Sequence, residues 1–337
     1  SPTAAVYAAR AEGLCTAGII DHDSIAGARE FLAAAKLIGM PVTVGMECRV
    51  SMAGTGIEGK RTNNPDQAGV SYMTIQSVPH EHIEELNDWF APYRTARGRR
   101  NRKMVENINA LLDGIQLDYD RDVLPLTQAA DGGGVTERHL MYALAKKLGQ
   151  KAGKGQPMVD YLASIGLTLS QKQQAQMLDV SYPFYEYDLL GILKAAFVPR
   201  IYVDATDECP NIRDVVALCE RIDALLCYAY LGDVTASVTG DKKAQKFEDD
   251  YLDDVIDAVR SCGVRAVTYM PTRNTPEQLA RLRALCEKNG LFQVSGEDIN
   301  SPRQSFIIRA MENPMCSNLI DATWKLIEHE SSGAAIC

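Results

Sequence analysis

The sequence predicts an α/β protein: a barrel of parallel strands with a helical insertion, its ligand site at the carboxyl ends of the strands. Three observations carry this. A unit of strand, polar turn, amphipathic helix and glycine stop recurs on both sides of the chain. Between the two sides the rhythm changes to helix after helix. The length, 337 residues, suits one large domain with an insertion, or two domains.

The elements follow in order. Ser1-Pro2-Thr3 reads as an N-cap with proline in the first turn, opening a helix over 4–12 that stops at Gly13. The apolar run 17–20 is the next strand. A helix that opens an alternating fold is expected to follow an earlier strand, absent from this sequence. Asp21-His22-Asp23 leads into a helix over 24–38, Gly39 ends it, and 42–50 is a strand. A helix over 247–262 then stops at Gly263 before a strand at 265–270, and a helix over 275–289 stops at Gly290 before a strand at 291–294. Strands joined through helices are expected to be parallel.

From about 88 to 197 the segments 95–113, 136–148, 158–165 and 170–178 read as short helices, with a loop at Asp131-Gly132-Gly133-Gly134. The expected organisation is a first barrel part over 1–87, a helical cap over 88–197 and a second barrel part over 198–337.

Composition narrows the function. Charged residues at 23% and hydrophobic ones at 46% are ordinary for a globular chain. A net charge of −9 gives no general attraction to nucleic acid or to anionic lipid, so small molecules are the expected partners. The nine cysteines form no C-x-x-C pair and several sit in apolar runs such as Leu225-Leu226-Cys227, as reduced thiols of a cytoplasmic protein do. No run of about 18 apolar residues is present.

Polar residues just beyond apolar strands are the first candidates for chemistry in such a fold. Three places qualify: Asp21-His22-Asp23, Glu47 within Val44-Gly45-Met46-Glu47-Cys48, and Gly296-Glu297-Asp298-Ile299-Asn300. His22 is either a metal ligand or a histidine in a polar turn, with Asp21 or Asp23 as helix N-cap. A carboxylate inside an apolar strand needs an ion-pair partner, a metal or an exposed edge, and Glu47 has all three open to it. Asp298 is a ligand or an N-cap. His80-Glu81-His82 follows Pro79 into a helix start, where positions two apart face differently. The basic run Arg94, Arg97, Arg99, Arg100, Arg102 and Lys103 winds around more than one helical face and reads as a solvated surface. Arg273 and Arg303 are candidates for a substrate phosphate, with surface exposure as the alternative.

At these residues the sequence resembles the PHP family, the polymerase and histidinol-phosphatase superfamily of metal-dependent phosphoesterases. Ile20-Asp21-His22-Asp23-Ser24 with Gly27 is similar to the family's T-D-H-D motif, Gly45-Met46-Glu47 to its G-x-E motif, and 296–300 stands where the family writes G-S-D-x-H. The resemblance covers roughly 4–50 and 200–300. It implies a distorted seven-stranded (β/α) barrel holding up to three divalent ions, zinc, manganese or iron, that activate water for phosphoester hydrolysis. It implies His22, Glu47 and Asp298 as ligands, with Asp21 and Asp23 orienting His22 from behind.

The departures are as specific as the matches. The family's opening H-x-H has no counterpart in this sequence, and Tyr72-Met73-Thr74 holds no histidine where a ligand is expected. The A-H-P-G motif stands as Ala229-Tyr230-Leu231-Gly232, placing Tyr230 at a histidine position, and Asn300 stands at another. Tyrosine and asparagine are poorer ligands than imidazole for borderline metals, so part of the cluster at most assembles. Two functions follow: a metal-dependent phosphoesterase of a small phosphorylated metabolite, or a PHP-like domain turned to binding or regulation.

Overall fold

The computed structural model describes residues 1–234 and 245–335. They fall into two compact units, one of Ser1–Tyr93 with Thr206–Cys337 and one of Arg94–Ala205.

The first unit opens on α1 (Pro2–Ala11), capped by the Ser1 hydroxyl, which accepts from the Ala4 N–H. β1 (Ala17–His22), α2 (Ala28–Ile38) and β2 (Val42–Ser51) follow. Gly39 closes α2 in the left-handed region at φ 64°, a conformation that costs glycine nothing. β3 is Val70–Gln76, and α3 (Ile83–Leu111) gives its first turns to this unit.

The second unit takes the rest of α3 with α4 (Glu137–Ala152), α5 (Gln156–Ser164), α6 (Gln171–Leu178) and α7 (Tyr185–Ile201). It has its own apolar core, including Leu140, Leu144, Leu162, Leu193 and Phe197. The sequence pattern does not predict α7, because Gly191 and Pro199 inside it are helix-breaking signals. Arg97 and Arg100, expected on a solvated surface, are buried: both pair with Glu137, and Arg100 stacks over Tyr202.

Back in the first unit come α8 (Ile212–Arg221), β4 (Leu225–Ala229), α9 (Leu252–Ser261), β5 (Ala266–Tyr269), α10 (Pro276–Asn289), β6 (Phe292–Ser295) and α11 (Ser317–Ser332). The six strands form one curled sheet in the order β1-β2-β3-β4-β5-β6. Three of its junctions are parallel, but β3 runs antiparallel to both β2 and β4. An all-parallel barrel is therefore not what forms. The cause is the connection: residues 52–69 contain no crossover helix and double back, with the Met52 N–H donating to the Gly69 carbonyl at 2.9 Å, so the next strand must reverse. Among the described residues β1 and β6 are edges and do not pair, giving a half-barrel of six strands where a closed seven-stranded one was expected.

The core of this unit packs α1, α2, α8, α9 and α10 against the sheet through residues such as Phe31, Val215, Ile256 and Leu282, while Leu326 of α11 packs with Leu225, Cys227 and Val294. The eight described cysteines form no disulfide, and Cys337 lies outside the described residues. No helix among the described residues is long and apolar enough to cross a membrane.

Candidate functional site

Register decides which residues meet at the carboxyl ends of β1 and β2. His22 is the last residue of β1 and stands opposite Glu47 of β2. Its Nδ1 lies 2.8 Å from Glu47 Oε1, with 51% of the His22 side chain and 25% of the Glu47 side chain exposed. The Tyr72 ring of β3 is 6.2 Å from the imidazole, centroid to centroid. Of the three answers open for Glu47, the structure supplies a partner, His22.

The turn beyond β1 is built to hold this pair. Asp23 is buried in the left-handed region at φ 55°, and its N–H donates to the Glu47 carbonyl at 2.7 Å, which ties the turn to β2. A non-glycine residue there is strained, and an aspartate tolerates it better than most. Asp21 keeps an exposed surface, and the partial desolvation of its carboxyl raises its pKa above the ordinary value, opposed by the charge of His22. Neither aspartate caps a helix: α2 starts at Ala28 behind Gly27, which makes no side-chain cap. The glycines of both motifs have packing reasons. A Cβ on Gly45 would stand 2.3 Å from the Ile75 carbonyl, and one on Gly27 would stand 3.1 Å from Asp21 Oδ2.

The carboxyl end of β4 is closed instead. Tyr230 is 2% exposed and its hydroxyl donates to Asp249 Oδ1 at 2.6 Å. Asp249 Oδ2 takes the Asp233 N–H at 3.0 Å and Gln278 Nε2 at 2.7 Å. Glu248 is fully buried, accepting from the N–H groups of Leu231 (2.8 Å) and Gly232 (3.0 Å) and from the Tyr228 hydroxyl (3.0 Å). Burial pushes its carboxyl up to about 7, against the pull of those three donors. Burial and the neighbouring carboxylates likewise raise both tyrosines. Asn63 joins the two neighbouring strands, its side chain exchanging hydrogen bonds with the Tyr72 backbone and donating to the Ala229 carbonyl at 2.6 Å.

Beyond β6, Asp298 and Asn300 are exposed and bond to one another, Asn300 Nδ2 to Asp298 Oδ2 at 2.7 Å. No helix follows for Asp298 to cap; residues 301–308 are turns and coil. Arg303 is exposed as well. Half-buried Arg273, in the loop after β5, donates from Nε to the Leu231 carbonyl at 3.2 Å. His80 and His82 lie in one short 3₁₀ turn and part company, His82 reaching Glu85 and His80 reaching Glu330. In the glycine loop, the Gly132 and Gly133 N–H groups are already bound to carbonyls of the same loop.

Among the described residues no three His, Cys, Asp or Glu side chains converge to hold a metal ion. The set expected from the sequence thus divides: His22 and Glu47 meet, and Asp298 forms no such group with them. Two donors 2.8 Å apart suit neighbouring positions on one ion and do not make a cluster of three ions. Glu248 and Asp249 were not foreseeable as the acceptors for Tyr228 and Tyr230, since Glu248-Asp249-Asp250 reads as the acidic first turn of a helix.

No protein-family model matches the chain, and no curated protein matches it by sequence. Solved structures share its fold. A protein of Bifidobacterium adolescentis described as a putative metal-dependent phosphoesterase superposes with a TM-score of 0.56 at 20% identity, over 94% of this chain and 90% of the other. An amidohydrolase of Chromobacterium violaceum, with bound sulfate and no metal, superposes with a TM-score of 0.55 at 16% identity, over 90% of this chain and 83% of the other.

Proposed function

We propose that the chain is a metal-dependent phosphoesterase of the PHP type, acting in the cytoplasm on a small phosphorylated metabolite, with His22 and Glu47 as donors to a divalent zinc, manganese or iron ion. The observation that carries this reading is the half-open His22–Glu47 pair at the carboxyl ends of adjacent parallel strands. The likeness in fold to the putative metal-dependent phosphoesterase supports it.

A bound divalent ion would lower the pKa of its water and offset the charge developing on a phosphoryl group. The chain's own part is positional. Asp23 fixes the turn that carries His22, the register of β1 and β2 sets Glu47 beside the imidazole, and Gly45 leaves room for β3 against β2. A second reading, a PHP-like domain kept for binding or regulation, is favoured by Tyr230 and Asn300, whose polar atoms are spent on Asp249 and Asp298.

The test is elemental analysis of protein purified without chelator, beside His22→Ala and Glu47→Gln. Near-stoichiometric metal in the wild type, falling at least tenfold in both variants with unchanged helix content, is the expected outcome. A well-folded, metal-free wild type favours the binding module, and equal occupancy in all three proteins removes His22 and Glu47 from the site.

A further inference from the structure

Arg273 is held in an unusual way for a half-buried cation. Its Nε is tethered to the Leu231 carbonyl at 3.2 Å, and the Asn274 amide donates to the same carbonyl at 2.9 Å, so the loop after β5 is pinned to the loop after β4. The far edge of the guanidinium is unspent. Nη2 is buried without a hydrogen-bond partner, and Nη1 makes none among the described residues. No carboxylate among them lies within ion-pairing distance of Arg273.

The nearby acids are committed elsewhere. Glu248 accepts from two backbone N–H groups and Tyr228, Asp249 from Tyr230 and Gln278, and Glu297 from the Thr272 N–H and hydroxyl. A buried guanidinium donor without an acceptor costs free energy, and burial lowers the Arg273 pKa accordingly. A tethered Nε with a free Nη1/Nη2 edge is the geometry that takes two oxygens of an oxyanion at once.

We infer that Arg273 is a bidentate anchor for a phosphate monoester at the carboxyl ends of β4 and β5, working without the ion assigned to His22 and Glu47. The inference deepens the proposed function by naming what holds the substrate's phosphate, and its test separates the two. The probe is inorganic phosphate, titrated by calorimetry into chelator-treated full-length protein. The expected result is binding that weakens at least tenfold in Arg273→Gln, weakens less in Arg273→Lys, where charge remains but the fork is lost, and is unchanged in His22→Ala. Circular dichroism of each variant checks the fold, and Arg273→Lys, the milder change, keeps the test usable if Arg273→Gln unfolds. Absence of phosphate binding in the wild type, or equal binding in the wild type and the folded Arg273 variants, overturns the anchor. Loss of binding in His22→Ala alone also overturns it and leaves the metal reading standing. A wild type that is metal-free when purified without chelator, yet binds phosphate through Arg273, sinks the metal reading and keeps the anchor.

Discussion

The carboxyl ends of β1 and β2 and that of β4 belong to one rim, yet their polar groups have opposite fates. At β1 and β2, His22 and Glu47 face one another with about half of the first side chain and a quarter of the second in solvent. At β4, Tyr228, Tyr230, Glu248 and Asp249 bond to one another and to the backbone, and the tyrosines and Glu248 are buried. The difference teaches that a motif position locates a residue on the rim without deciding whether its polar atoms are free. Position 230 carries a phenol that belongs to a closed network, whose stability depends on these mutual hydrogen bonds.

The largest test of this contrast is Glu248→Ala. Three donors, the Leu231 and Gly232 N–H groups and the Tyr228 hydroxyl, would lose their acceptor in a buried place, at a cost of roughly 3 kcal/mol or more. His22→Ala, on the open side, should cost within about 0.5 kcal/mol. Urea denaturation of both variants checks it; equal losses would erase the distinction between the two sides.

Glu248 also makes the contrast depend on pH. Its folded pKa is raised to about 7 from the ordinary 4.5, so the carboxyl favours folding when protonated. That contribution is fully present below pH 4.5 and is lost as pH rises through about 7. Relative to Glu248→Gln, the wild type should therefore lose up to about 3 kcal/mol between pH 4.5 and 8. Parallel stability curves for the two proteins would show that Glu248 does not titrate in this window.

The fold was legible where helices carry caps and stops. Ser1, Gly39, Thr275 and Gly290 mark ends by local chemistry, and the structure shows the cap or left-handed glycine at each. The reversal of β3 was harder to read: Gly54, Gly56, Gly59 and Asn63-Asn64-Pro65 mark turns within 52–69, but the pairing of its ends, Met52 with Gly69, is a long-range contact. In the site, the meeting of His22 and Glu47 follows from strand register, which apolar runs and the helix between them imply. The sealing of Tyr230 depends on Asp249, nineteen residues on in sequence and brought close only by the fold. Burial of Arg97 and Arg100 escaped for a related reason: a run of cations says nothing of a carboxylate such as Glu137 waiting on another helix.

Tyr230→His comes next in size. If the phenol stood in an open ligand position, imidazole there would add a donor and raise metal content. In the sealed network it instead removes the hydrogen bond to Asp249 and leaves a smaller ring in a packed place, costing roughly 1–3 kcal/mol with no added metal. Metal stoichiometry and denaturation measured on the same preparation separate the outcomes. A gain of metal with little loss of stability would mean that the β4 side opens readily.

The smallest effect is expected at Asn300, and it is informative because nothing else should change. Asn300 is exposed and bonds through its amide to Asp298, itself exposed, so neither group is held against His22 or Glu47 in a cluster of donors. Asn300→His removes one solvent-screened hydrogen bond, and a surface substitution of that kind stays within about 0.5 kcal/mol. The new imidazole would have Asp298 beside it, but two donors on an exposed loop lack the third ligand and the orienting partners that make an ion stay. Metal content should therefore match that of the wild type, while His22→Ala in the same series lowers it. Should Asn300→His alone raise bound metal to a second equivalent, the loop after β6 must reach the rim in solution, and the closed β4 side would be the exception on an otherwise open site.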